Sequence, residues 1–393
     1  MSSQPKHIYA GIDIGTSTTR VVVCEADQKN ILRVVGVGES PTQGLRHGYV
    51  VNKYEAQSSL ASALQAAERS CNRKIKTVSV TIGGITLAGH TLHRAFTIQK
   101  RDGLITDTDL IKLQRSTEAA IIEKHPNRQI LYLNPVEYRL DGKSIVGTPP
   151  AGLHGHKLET RFFAISCLTH HLEDLTEVIT STGLNIEYIF PAPLATHEFA
   201  LKPRQRTAGS VLVDIGSETT TVCVVENNSM FSLEVFPIGS SNITNDIALG
   251  FQIPLEEAES VKVGDTDDVR YTKRKMDTIV EARLNDIFEL IRNHLKKIHR
   301  DRTLPGGAVI IGGGSGIATI EDYAKVSLKL PSRVLSPENL GGSRRFLTNA
   351  AWYGAYGACQ LTARERRTEG ESGAFSFKKT TRSIRDFFQQ FLP

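Results

Sequence analysis

The chain is short of cysteine, of long apolar runs and of any large excess of charge, and each shortage removes a class of protein. Its five cysteines, Cys24, Cys71, Cys167, Cys223 and Cys359, are odd in number and widely spaced among 393 residues. None belongs to a C-x-x-C pair, so neither a zinc knuckle nor a dithiol redox centre is written into them; they read as apolar core residues in a reducing compartment. No uncharged stretch reaches the ~18 residues a membrane span needs, and Met1 to Lys6 is polar with no apolar signal core. The expectation is a cytosolic chain. A formal charge of +5, from 47 basic and 42 acidic residues, is too small and too dispersed to point to nucleic acid.

What is present is an ordinary globular composition, 40% hydrophobic and 23% charged. At roughly 100–200 residues per domain the length predicts two to four domains. A pattern recurs within it. Ile8 to Ile14 reads as a strand, Gly15-Thr16-Ser17-Thr18 as a turn and Thr19 to Cys24 as the returning strand; Val211 to Ile215, Gly216-Ser217-Glu218-Thr219 and Thr220 to Glu226 repeat the order. Asp-Ile-Gly heads both turns. A third strand ends at Gly38 in one copy and Gly239 in the other, each 25 residues after the aspartate, which suggests duplication. Each copy later supplies a strand running into glycines, Val78 to Ile82 before Gly83-Gly84 and Ala308 to Ile311 before Gly312-Gly313-Gly314.

These elements predict an α/β protein of two mixed-sheet halves around a cleft. Asn52 to Cys71 reads as a crossover helix of the first half. The first half is interrupted by a segment with its own strand, helix and hairpin, marked by a capping box at Thr106 and Asp109 and a turn at Asp141-Gly142. The second carries a helical insertion whose long helix, Asp277 to Ile298, has Ile279, Leu284, Ile287, Leu290, Ile291 and Leu295 at helical spacing. The expected division is 1–83 with 165–205 for the first half, 84–164 for its insertion, 206–240 with 304–345 for the second half and 241–303 for its helical insertion. A hinge helix at 346–361, a flexible linker at 362–380 and an amphipathic helix at 381–393 follow.

A turn of Gly, Ser and Thr between two strands offers successive N–H groups and hydroxyls, all donors suited to phosphate oxygens. Two such turns facing each other grip a polyphosphate from both sides, and Asp13 and Asp214 can hold Mg²⁺ through its waters. A plain hairpin remains the alternative for either turn alone. Gly312-Gly313-Gly314-Ser315 lets a flat base and ribose approach the backbone; no Gly-Lys-Ser/Thr follows, so it is not a P-loop. Glu259 and Lys262 share a helix face and either bracket a ribose and base or form a solvated ion pair.

The order GIDIGTSTT, VDIGSETTT, IIGGGSG resembles the actin, heat-shock chaperone and sugar-kinase superfamily. With Gly36-Val-Gly-Glu-Ser-Pro, Gly44-Leu-Arg-His-Gly48 and Ala258-Glu-Ser-Val-Lys262, and over nearly the whole chain, it is similar to the FtsA family of bacterial cell-division proteins. The resemblance implies ATP with Mg²⁺ as ligand. Asp13, Gly15, Thr16, Ser17 and Thr18 would form the first phosphate loop, and Asp214, Gly216, Ser217 and Thr219 the second. Gly312, Gly313, Gly314 and Ser315 would form the adenosine loop, with Glu259 and Lys262 near the ribose and base. Asn349 to Gln360 would be the hinge helix. Glu218 departs from the family pattern and is expected to turn outward. No base for hydrolysis is assigned, His197 and Glu198 included, so the implied activity is at most a slow ATPase.

After the polar stretch from Thr362, Ile384, Phe387, Phe388, Phe391 and Leu392 fall on one stripe beside Lys378, Lys379, Arg382 and Arg385. Such a segment docks on protein or lies in an anionic membrane surface, each basic residue there contributing about 1 kcal/mol. The resemblance implies a filament on the cytoplasmic face of the cell membrane at the division site. The chain would bind itself, the C-terminal tail of the tubulin-like protein FtsZ and other division proteins, and no nucleic acid. The basic run Arg292, Lys296, Lys297, Arg300 and Arg302 is a receptor for the acidic tail or a solvated helix face. A PilM-like pilus assembly protein and a small-molecule kinase of the same superfamily are the other readings; histidine pairs such as His154/His156 and His170/His171 lack the Cys or carboxylate spacing of a metal site.

Overall fold

The computed structural model describes residues 7–27, 31–145, 149–264, 271–336 and 345–371. The chain opens with β1 (Ile8–Ile14), which pairs antiparallel with β2 (Thr18–Ala26), and β2 with β3 (Leu32–Pro41). A tight hairpin, β4 (Leu45–Arg46) and β5 (Tyr49–Val50), precedes α1 (Lys53–Cys71). Asn52 starts that helix because its side chain accepts the N–H groups of Tyr54 and Glu55, two of the donors a helix leaves unpaired. The helix crosses over to β6 (Thr77–Ile82), parallel to β1.

The inserted segment is a second sheet with one helix: β7 (Ala88–Thr97), α2 (Asp107–Lys124), β8 (Arg128–Leu140), β9 (Lys143–Ile145) and β10 (Lys157–Leu168), ordered β7-β10-β8-β9. The Asp109 carboxylate accepts the Thr106 N–H at 2.9 Å, the back-bond of a capping box. Next, α3 (Thr169–Thr180) leads to β11 (Asn185–Pro191), which completes a five-stranded sheet β11-β6-β1-β2-β3. After α4 (Ala192–Ala200) and α5 (Pro203–Ala208) the plan repeats: β12 (Ser210–Ile215), β13 (Thr220–Glu226) and β14 (Ser229–Phe236) run antiparallel. Three helices follow, α6 (Ser240–Phe251), α7 (Leu255–Val263) and α8 (Lys273–Lys297), then β15 (Ala308–Ile311), α9 (Ile320–Leu328) and β16 (Ser332–Val334), giving the sheet β14-β13-β12-β15-β16. Among the described residues the final element is α10 (Tyr353–Glu371).

Both central strands are apolar on both faces because helices cover them, and one apolar core joins Ile12 and Val80 to Leu233 and Ile311 of the second half. The inserted sheet shares in it: Gly89 of β7 lies against the Phe163 ring and Leu233 of β14. The cysteines are free thiols, four of them buried and Cys71 half-buried.

Several sequence expectations need correction. The stretch from Thr362 read as linker continues α10 to Glu371. Thr362 and Ala363 are buried, Arg364 pairs with Glu198, and Arg366 pairs with Glu187 at 2.6 Å and lies over the Tyr9 ring. Partners that far back in the chain make a polar segment helical by tertiary contact. The hinge helix starts at Tyr353, after a 3₁₀ turn at Ala350–Trp352. The third strand of the first copy continues past Gly38 to Pro41, and β10 runs through position 165 to Leu168. On α8 the buried stripe takes in Val280 and Phe288, whereas Leu290 is exposed. The residues expected to face a membrane, Lys378, Lys379, Arg382, Ile384, Arg385, Phe387, Phe388, Phe391 and Leu392, lie outside the described residues.

Candidate functional site

Between the two sheets lies a cavity of about 510 Å³, walled by the turns that follow β1 and β12 and floored by the start of α10. Asp13, Gly15, Thr16, Ser17 and Thr18 line one side, and Asp214, Gly216, Ser217 and Thr219 the other. Glu259 and Lys262 line it from α7, and Gly312, Gly313 and Gly314 from the turn after β15. Ser315 is the exception. It is buried, and its hydroxyl donates back to the Gly312 carbonyl at 2.7 Å, so it shapes the turn without facing the cavity.

Each turn is held from behind. The Gly216 N–H bonds the Thr219 carbonyl at 2.8 Å, while the N–H groups of Ser240 and Ser241 bond the Gly216 and Ser217 carbonyls at 2.9 and 2.8 Å. Such an approach leaves no room at Gly239, where a Cβ would come within 2.4 Å of the Ser217 carbonyl oxygen. In the first copy Thr42 donates to the Ser17 carbonyl at 2.9 Å, and Gly38 instead admits α1, whose Ala63 carbonyl a Cβ would meet at 2.1 Å. Equal spacing of the two glycines therefore carries two different packing tasks.

The charges are set by burial. Asp13 accepts a 2.6 Å bond from the Thr81 hydroxyl. Burial nevertheless raises its pKa, against the pull of Thr81 and Arg20. Asp214 has been pushed up to about 7, first by burial and then by the charge of Asp13. Two carboxylates beside one cavity are in want of a cation. Lys262 sits 2.6 Å from Glu259 and 2.9 Å from the Thr244 hydroxyl. Burial works to raise the Glu259 pKa, but the hydrogen bonds from Lys262 and Thr244 prevail and hold it below the usual value.

Glu218 turns out of the cavity and reaches across to the first half, where its carboxylate accepts the His47 N–H at 2.5 Å. His197 is buried with its ring against the Pro193 and Leu194 carbonyls, and Glu198 is paired with Arg364. Neither lines the cavity.

The structure adds residues that motif reading missed. Arg20, opposite Asp13 in the β1–β2 register, lines the cavity, 3.5 Å from Glu39 and stacked on Trp352. A cation within a strand has no spacing signal, but its place seven residues after Asp13 puts it on the same face. Ser240, Ser241, Ala350, Ala351 and Gly354 also line it. At Gly354 a Cβ would meet the Asp13 carboxylate at 2.8 Å, so α10 begins directly against that group.

Two duplicated sheets closing on a glycine-lined cleft define an actin-like protein. Solved structures bear this out: a chain of the PilM-PilN type IV pilus biogenesis complex superposes with a TM-score of 0.68 at 15% identity, covering 91% of this chain and 99% of that one. MreB5 of Spiroplasma citri bound to ADP superposes with 0.55 at 12% identity, covering 93% and 99%. The sequence narrows the class. The family described as "Cell division protein FtsA" matches residues 211–356, and "SHS2 domain inserted in FTSA" matches 84–166. The FtsA of Bacillus subtilis (strain 168) is 28% identical over 390 residues, covering 94% of this chain and 86% of its own. That of Neisseria meningitidis serogroup B is 27% identical over 364 residues, covering 87% and 86%. The chain belongs to the FtsA family of cell division proteins.

Proposed function

We propose that the chain is an ATP-binding, actin-like filament protein that assembles on the cytoplasmic face of the cell membrane and tethers FtsZ there. The observation that carries the nucleotide reading is the pair of donor-rich turns on opposite walls of one cavity with two buried carboxylates of raised pKa between them. Asp13 and Asp214 fit a hydrated Mg²⁺, which would neutralise both them and the phosphates. Arg20 adds a fixed positive charge to the same wall. Gly312, Gly313 and Gly314 leave space for the adenosine, and Lys262, tied to Glu259, borders it.

Membrane attachment rests on the stripe Ile384, Phe387, Phe388, Phe391 and Leu392 with its basic flank. A ~10-residue helix is marginal in water and gains order on the bilayer, so one copy holds weakly and a polymer holds by avidity. Among the described residues no helix is long and apolar enough to cross a membrane. The basic run on and just after α8 is partly spoken for: Arg292 and Arg302 pair with Asp301, and Arg300 pairs with Glu226. Lys296 and Lys297 remain exposed and would offer the charge an acidic FtsZ tail needs.

Sedimentation with anionic liposomes tests this reading. The full chain should pellet cooperatively and more completely with Mg-ATP, carrying FtsZ down with it, whereas a chain ending before Thr381 should stay in the supernatant. If full chain and truncation both remain soluble, the tail docks on protein and a PilM-like role takes precedence.

A further inference from the structure

The hairpin β4–β5 touches both phosphate-loop turns at once, though it belongs to the first half alone. Its His47 N–H donates to the Glu218 carboxylate at 2.5 Å, and the His47 Nδ1–H to the Glu218 carbonyl at 3.2 Å. A carbonyl only accepts, so this geometry places the proton on Nδ1. The next N–H, that of Gly48, donates to the Thr16 hydroxyl oxygen at 2.9 Å. With that lone pair engaged, the Thr16 hydroxyl has its own proton free for an acceptor in the cavity.

The hairpin tip is stiff. His47 and Gly48 hold φ of 50° and 76°, and the His47 carbonyl accepts the Ile85 N–H at 3.1 Å. A Cβ on Gly48 would meet the Gly84 Cα at 2.6 Å. The tip therefore moves with the Gly83–Gly84 turn of its own half, while its hydrogen bonds to the other half go to Glu218. Both side chains are about one-third exposed, so the contact lies at the rim and not in the core.

We propose that Glu218 and His47 form a clasp that holds the two halves closed at the phosphate-loop end of the cleft and sets how fast a bound nucleotide leaves. They are positioning residues. Opening the cleft parts Glu218 from His47 and leaves the His47 N–H without its acceptor, while the tip and its bond to Thr16 stay with the first half. The second half of the proposal rests on reading the cavity as a nucleotide site; the clasp itself does not.

The experiment has two readouts on the full chain. Amide hydrogen exchange at His47, without nucleotide, should speed up about tenfold in Glu218→Ala, the loss expected for a hydrogen bond to a charged group at a partly wet site. Dissociation of a fluorescent ATP analogue with Mg²⁺, followed by chase, should accelerate by a similar factor. Glu218→Gln keeps an acceptor and should restore both rates to within about threefold of the wild type; His47→Ala keeps the main-chain bond and should fall between. Merely structural damage would lower the melting temperature and would not be rescued by Gln in the chase. Unchanged exchange in Glu218→Ala would overturn the clasp. Faster exchange with unchanged dissociation would overturn its control of nucleotide release. A wild type that binds no nucleotide, with exchange still dependent on Glu218, would sink the nucleotide reading and leave the clasp in place.

Discussion

At pH 8 the Asp214→Asn protein is expected to melt a few degrees above the wild type while binding Mg-ATP at least about a hundredfold more weakly. The two effects share one cause. The native environment pushes the Asp214 pKa up to about 7, so the folded state holds that proton more tightly than the unfolded chain does. Ionising it as pH rises through about 7 therefore costs the folded protein stability, and at pH 8 the cost is fully present. Asparagine keeps the shape and removes the charge. The side chain borders cleft water, which moderates the gain to a few degrees. The same charge is what a hydrated Mg²⁺ would pair with, and its loss leaves Asp13 to hold the ion alone. A variant that binds Mg-ATP like the wild type would separate Asp214 from the metal; one that melts lower would show that its carboxylate supports the fold.

Gly11→Ala should destabilise the protein by about 1–3 kcal/mol, and Gly11→Val should prevent a cooperative fold. Gly11 in β1 faces α10, and a Cβ there would stand 2.0 Å from the Ala355 carbonyl oxygen and 3.0 Å from the Cys359 sulfur. A helix carbonyl cannot swing aside, so the whole helix must move. That movement matters beyond stability because α10 begins against Asp13. Thermal melts followed by circular dichroism check the first part; a Gly11→Ala protein with wild-type melting would mean the strand and helix are less tightly joined than described.

Much of this architecture was legible because glycine and short hydroxyl residues have few structural uses when they recur in the same order. Asp13-Ile-Gly and Asp214-Ile-Gly announced two matched turns, and those turns do line one cavity. The capping box at Thr106 was readable for a local reason, since it acts within three residues. Long-range partners were not. Nothing near Arg364 and Arg366 announces Glu198 and Glu187, so the helix they extend looked like linker. Arg20 was hidden as one charge in a strand, and Gly354 as one small residue in a helix; only packing brings both to Asp13. Ser315 belongs to the expected adenosine loop, but its hydroxyl bonds its own turn, a local contact that the motif does not reveal.

The most direct test of the central claim, that two facing turns take ATP with Mg²⁺, is equilibrium titration of the full chain with ATP, with Mg²⁺ present and then removed by chelation. The account predicts one saturable site per chain, weakened by at least about tenfold without the metal, as two uncompensated carboxylates repel the phosphates. No binding at millimolar ATP, or binding indifferent to Mg²⁺, would contradict it.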